Sequence, residues 1–331
     1  MPSIDVFMMQ DLEYQAYMES AKLAEKSGFE NFWLIDSTDA YTDYCAWDSL
    51  IAVNTSRIRI GPGVTNPITR HPRVTANHML TLNELSKGRA ILGLGTGDNA
   101  VRSMGWSPVS HSVMREAMEI IRNKFRERRA DIPIYVAIGG PLNTKMALQL
   151  ADGVIGGVGL REGPDGLIRG LERLKAAAKE AGRDFSNLPV KLNYGFAISH
   201  NRKEAIEEMR WSVSTLMRGI FVRGTSALPT HLERFREEAK RIGESYDYFN
   251  HMRTHTLGGQ LARHSLASDE LVEAVGLPAG TPEDFLPRFK SLWQAISPMP
   301  NVGFFLVPHG DKGGRKRTLE LFVREVLPKL G

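Results

Sequence analysis

The chain has 331 residues, 42% hydrophobic and 24% charged, with a formal net charge of +4. That length excludes a single small sandwich and permits one large α/β barrel or two modest domains. No apolar run approaches the roughly eighteen residues of a membrane span, and Lys and Arg are dispersed among Glu rather than interleaved with aromatics, which argues against a nucleic-acid platform. The one cysteine, Cys45, excludes an intramolecular disulfide framework and suits a reducing cytoplasm. Beside Tyr44 and Trp47 it reads as a buried thiol. The first residues, MPSIDVFMMQDLEYQAYMES, carry no basic region and turn acidic early, so no signal peptide is expected.

Short strand-like runs alternate with helical ones along the chain. Residues 4–8 predict a strand and 12–27 a helix stopped by Gly28. A second strand over 31–35 precedes a helix near 47–54, and a third covers 57–65. The helix over 72–85 places Val74, Met79, Leu82 and Leu85 on a common face. Further pairs follow at 89–94 with 111–127, 134–138 with 141–150, and 154–158 with 165–181. A seventh strand covers 190–199, and an eighth, 302–307, is followed by a helix over 315–330. Eight strand-then-helix units predict a (β/α)8 TIM barrel, one domain over 1–331. Between strands seven and eight, residues 219–300 read as an insertion covering the barrel mouth.

In such a barrel the chemistry belongs at the C-terminal ends of the strands. Those ends carry DSTD (36–39), GPGVTNPITRHP (61–72), GLGTGDNAVRSMG (93–105), AIGGPLNTK (137–145), GGVGLREG (156–163) and PHGDKGG (308–314). The opposite ends carry plain connectors. AIGGP at a helix start offers unpaired N–H groups suited to a phosphate, or is an ordinary turn. Gly93, Gly95 and Gly97 leave room for a flat ligand, or let strands pack closely. KGGRKR (312–317) is a solvated basic patch, or a second candidate for phosphate. His251 and His255 share one helical face but lack the Glu of a zinc protease, and no metal site is expected.

The stretch GPGVTNPITRHPRVTANHMLTLNELSKGRAILGLGTGD, with SAKLAEKSGFENFWLID before it and IPIYVAIGGP after it, resembles the bacterial luciferase-like superfamily. Within it the chain is most similar to the branch of methylenetetrahydromethanopterin reductase and other oxidoreductases using the deazaflavin coenzyme F420. The resemblance covers about residues 1–160, and the remainder in general layout. It implies a flavin or deazaflavin at the barrel mouth and a non-prolyl cis peptide after strand three, here Gly63–Val64, behind the ring. It also implies cofactor contacts at Gly63, Val64, Thr65, Asn66, Thr96, Gly97 and Asp98, and a phosphate-binding turn at Ala137, Ile138, Gly139, Gly140 and Pro141. The family's Asp-His after strand two is Asp36-Ser37 here, and acidic residues after strand one are replaced by Met9 and Gln10.

These readings predict hydride transfer between coenzyme F420 and a small organic substrate, with Asp36, Asp98, Arg70 and His71 as candidates for orienting substrate or moving a proton. The basic balance suits the coenzyme's polyanionic tail. The alternative is an FMN-dependent monooxygenase fed reduced flavin by a partner reductase. A flavin-binding protein without turnover is a third reading, disfavoured by the many polar residues at the strand ends. The family implies a homodimer.

Overall fold

A computed structural model describes residues 1–247, 250, 266–310 and 313–331. Nine parallel strands form β1 (Ser3–Met8), β2 (Asn31–Leu34), β3 (Arg59–Pro62), β4 (Leu92–Leu94), β5 (Ile134–Ala137), β6 (Gly153–Gly156), β7 (Val190–Ile198), β8 (Ala279–Gly280) and β9 (Val302–Pro308). Their order is β3-β2-β1-β9-β7-β6-β5-β4, with the two-residue β8 paired only to the end of β7. Bridges from Ile60 to Ala90 and from Thr65 to Leu94 join β3 to β4, so eight strands close into a barrel whose eighth member is β9.

Helices cover the outside: α1 (Tyr14–Lys26), α2 (Tyr44–Asn54), α3 (Pro72–Leu85), α4 (Asn99–Arg102), α5 (His111–Glu127), α6 (Pro141–Leu150), α7 (Gly163–Glu180), α8 (Arg202–Phe221) and α9 (Arg236–Ser245). Among the described residues three more follow at Asp269–Val275, Pro282–Ile296 and Gly314–Leu321. Outward strand residues such as Val6, Phe32, Ile60, Leu92, Val136 and Phe304 pack against the helices in one core. Alternate inward residues, Phe7, Trp33, Ile91, Tyr135, Ile155, Phe305 and Val307, fill the barrel.

The floor of the barrel, at the strands' N-terminal ends, is ionic. Lys191 donates to Asp5 at 2.9 Å, Glu30 at 2.6 Å and Ser3 at 2.8 Å, and Trp33 Nε1 donates to Asp5 at 2.8 Å. Burial works against the Lys191 charge, but Asp5 and Glu30 outweigh it and raise its pKa. Burial is also the largest influence on Asp5, whose carboxyl is raised although Lys191 pulls the other way. The carboxylate on the surface side, Glu30, completes the neutralisation of the ammonium.

Several expectations are corrected. On α3 the buried residues are Pro72, Thr75, Ala76, Met79 and Leu82, while Val74 and Leu85 are 51% and 41% exposed. The buried stripe is therefore rotated toward the small residues Thr75 and Ala76. The last helix does not run unbroken to residue 330. It passes at Phe322–Val326 into a π turn and at Leu327–Lys329 into a 3-10 turn containing Pro328, which has no N–H for a helix bond. Cys45 is half-buried rather than buried, and its surroundings push the thiol up to about 12, burial being the main cause.

The described residues of 219–300 divide between two apolar clusters. Leu228, Leu232, Ile242 and Leu271 pack with Val213, Met217 and Ile220 of α8. Helix Pro282–Ile296 instead joins the barrel core through Phe285, Phe289 and Trp293, with Phe289 and Phe304 rings 4.7 Å apart.

Candidate active site at the barrel mouth

The seam between β3 and β4 shapes one wall of the mouth. The Gly63–Val64 peptide is cis. Thr65 N–H donates to the Gly93 carbonyl at 3.0 Å, and Gly95 N–H returns a bond to Thr65 at 2.9 Å. A Cβ on Gly93 would lie 2.5 Å from the Pro62 carbonyl oxygen, and one on Gly95 would lie 2.8 Å from a Val64 methyl. These glycines therefore admit the bulge of strand three; they do not leave a gap for a ligand. Of the two readings of GLGTGD, close packing is the one realised at Gly93 and Gly95. Gly97 has φ +80°, and a Cβ there would meet a Val101 methyl first.

The loops after β2 and β3 interlock. Thr65 Oγ1 donates to Asp36 at 2.5 Å. Burial raises the Asp36 carboxyl above its usual range, opposed by the Thr65 bond and by Arg70, and reinforced by Asp43. Arg70 pairs with Asp43 at 3.1 Å and lies 5.4 Å from the Tyr44 ring centre. Asn66 spends its amide on the loop itself: its Oδ1 accepts from Ile68 and Thr69 N–H at 3.0 Å each, and its Nδ2 donates to Thr69 at 2.9 Å. Its amide is thus engaged in an Asx turn of its own loop. His71 is exposed and caps α3, its Nδ1 accepting from Arg73 N–H at 3.2 Å.

Structure thus brings Asp36, Thr65 and Arg70 together and leaves His71 outside that group. Asp98 stands apart from it too, paired with Arg102 at 2.7 Å and with Arg223, beyond α8, at 3.1 Å. Thr96 and Gly97 form the half-buried step between β4 and that ion pair.

On the next side of the mouth, β5 leads through Ala137 and Ile138 into the turn Gly139-Gly140-Pro141. Gly140 has φ +77°, Pro141 occupies the first helical turn, and a Cβ at Gly139, Gly140 or Gly157 would meet nothing within 4 Å. The first helical bond is Thr144 N–H to the Gly140 carbonyl, so the earlier N–H groups of α6 have no intrahelical acceptor. Asn143 Nδ2 ties the turn to the Ala137 carbonyl at 2.7 Å. A cleft of about 800 Å³ opens here, lined in part by Thr144, Lys145, Gly157 and Arg173. Neither Lys145 nor Arg173 forms an ion pair among the described residues. Uncrowded glycine backbone, free helix N–H groups and two basic side chains fit a phosphate group.

The described basic residues of KGGRKR, Arg315 to Arg317, are neither of the things expected of them. Arg315 is buried and donates to Asp11 at 2.7 Å and to the Pro308 carbonyl. Lys316 pairs with Glu19, and Arg317 with Glu204 and Glu208. These charges are neutralised within the protein, because Asp11 before α1, Glu19 of α1 and Glu204 and Glu208 of α8, far away in sequence, converge on them. Residues 311–312 lie outside the described residues, as do His251 and His255. Among the described residues no group of three His, Cys, Asp or Glu side chains could hold a metal ion.

Two mouth residues were not singled out by sequence reading. Asn193 is exposed in the middle of β7, between buried Leu192 and Tyr194, and it is in register with the inward Phe305. His309 follows β9, is 6% exposed, and lies 5.3 Å from the Trp211 ring of α8. The available signal was the inward polar alternation Lys191, Asn193, Gly195 within an otherwise apolar strand.

A profile of the family described as luciferase-like monooxygenase matches residues 4–296. The chain belongs to this family. It is 29% identical to a 5,10-methylenetetrahydromethanopterin reductase of Methanopyrus kandleri, over 93% of this chain and 92% of the relative. It is 25% identical to an F420-dependent glucose-6-phosphate dehydrogenase of Amycolatopsis mediterranei, over 95% and 93%. A solved coenzyme F420-dependent tetrahydromethanopterin reductase from Methanopyrus kandleri superposes with a TM-score of 0.75 at 26% identity, covering 100% of this chain and 99% of that one. As a luciferase-like barrel, the protein places its cleft and bulge on the same C-terminal face of the strands.

Proposed function

We propose that this luciferase-like protein is an oxidoreductase that transfers hydride between the deazaflavin coenzyme F420 and a small organic substrate. The observation carrying this reading is similarity along nearly the whole of both chains to the coenzyme F420-dependent reductase. The ring would rest against Gly63–Val64 beside Thr65, Thr96 and Gly97, and the phosphate against the Ala137–Pro141 turn, with Lys145 and Arg173 adding positive charge. When bound, the coenzyme supplies a two-electron hydride donor or acceptor. Asp36, raised by burial and held by Thr65, is the group best placed to keep a proton at the mouth.

The chain reads as one domain over 1–331, with the start of the 219–300 segment, and not its helix Pro282–Ile296, covering the mouth. The Arg223–Asp98 pair, which ties the start of that segment to the end of β4, supports this. We read the assembly as a cytoplasmic homodimer, supported by the exposure of Leu50, Val53 and Val74 on neighbouring α2 and α3. Titration of the purified protein with coenzyme F420 and with FMN, followed by fluorescence, tests the reading. Saturable binding of the deazaflavin, at least tenfold tighter than FMN by a rough criterion, is expected. Tight FMN binding without affinity for F420 would move the protein to the flavin monooxygenase reading, with a partner reductase.

A further inference from the structure

The cleft beside the Gly139–Pro141 turn is larger than a phosphate requires. At about 800 Å³ it has the size of a site for a whole small ligand. Past the turn its lining runs along α7 through Gly170, Arg173, Leu174, Ala177 and Ala181, whose spacing puts them on one helical face. Leu142 and Lys145 supply the α6 side. The loop after β6 sets this shape. A Cβ on Gly170 would lie 2.5 Å from the Val158 carbonyl oxygen, so that loop rests directly on α7. Gly157, just before it, has nothing within 4 Å of a Cβ. The cleft thus leaves the mouth past Gly157 and continues between α6 and α7 toward the end of α7.

Charge and direction indicate what it holds. Lys145 and Arg173 are exposed and form no ion pair or hydrogen bond among the described residues. The same is true of Arg161, in the turn joining the β6 loop to α7. Leu174, Ala177 and Ala181 give the groove a small, apolar floor. Around the barrel β6 follows β4 and β5. A ligand with its ring at the β3–β4 seam and its phosphate at the turn after β5 therefore runs on toward β6 and α7. A flavin that ends at its phosphate leaves this part of the cleft unfilled.

Resting on the coenzyme reading above, we propose that the groove between α6 and α7 binds the first part of the coenzyme's polyanionic tail. The ligand there is a short chain of carboxylates continuing from the phosphate, with Arg173 as its anchor beyond the turn. Glu180, also in the lining, sets the limit. It stands two helical turns past Arg173, about 10 Å along the axis. That is room for about three residues of an extended chain, after which Glu180 repels further carboxylates.

The test titrates the full chain with forms of coenzyme F420 bearing no glutamate, one, three or six, followed by coenzyme fluorescence. Affinity should rise about fivefold from no glutamate to three and stay level from three to six. The gain should shrink at high salt, because exposed pairs are screened. Arg173→Gln should remove most of the gain and leave affinity for the glutamate-free form within about twofold. Lys175→Gln, the same charge change on α7 but outside the cleft, should keep the gain. Glu180→Gln should extend the gain to the longest tail. Equal affinity for all forms, a gain that survives Arg173→Gln, or one lost equally in Lys175→Gln would each overturn the tail site and leave the coenzyme reading intact. So would an undiminished rise up to six glutamates in the wild type. Binding of no form at all overturns the coenzyme reading and the tail site with it.

Discussion

Asp48 is fully buried between α2 and α3, with its Oδ2 2.9 Å from His78 Nε2. Burial pushes its carboxyl up to about 6, partly offset by the His78 bond. The folded protein therefore holds this proton more tightly than the unfolded chain does. Its contribution to stability is greatest below about pH 4, falls as pH rises through about 6, and is flat above. Relative to Asp48→Asn, the wild type should gain about 1–2 kcal/mol between pH 7 and pH 5. Urea unfolding of both proteins at the two pH values measures this, and an unchanged difference would show that Asp48 is ionised throughout. At the same scale, Asn66 and His71 show that residue type alone does not reveal a residue's local partners. Both stand in a mouth loop with chemistry-bearing side chains, yet each satisfies backbone N–H groups of its own segment.

Among elements, those with local stop and start signals were readable. The bounds of α3 and α6 follow from Pro72 and Pro141 in the first turn, and α5 starts after the Ser110 cap. The short strands β3 and β4 were read too long, because their ends depend on which partner bonds are made across the seam. That seam is where a single methyl group matters most. Gly93→Ala would drive a Cβ toward the Pro62 carbonyl oxygen, and backbone rather than a flexible side chain would have to move. We expect a loss of about 1–3 kcal/mol in chemical denaturation, with Gly105→Ala, at φ +79° and with no atom within 4 Å, as a control for strain without crowding. Equal losses in the two would refute close packing as the reason for glycine at 93.

For the whole molecule, the ionic floor and the open mouth are complementary. Lys191 joins β7 to β1 and to the start of β2, and so helps hold closed a barrel whose upper end must stay open. Lys191→Met leaves Asp5 buried without its cation and should cost about 3–5 kcal/mol. Adding Asp5→Asn should recover a large part, because the uncompensated charge is then gone. Thermal and urea unfolding of the single and double variants decide this; a double variant no more stable than Lys191→Met would mean that packing, not charge, sets the loss.

The sequence by itself determined the eight strand–helix units, the face on which glycine and polar residues gather, and the family whose motifs surround Gly63–Val64. These follow from local periodicity, caps and short motifs, each written within a few neighbouring residues. Tertiary structure alone decided that Arg315, Lys316 and Arg317 are neutralised by Asp11, Glu19, Glu204 and Glu208, that Gly93 and Gly95 receive the bulge, and that Asn193 stands open in the lumen. Each of those depends on partners far away in the chain. A charge, a missing Cβ or a free amide acquires its role only when barrel closure fixes what lies opposite it.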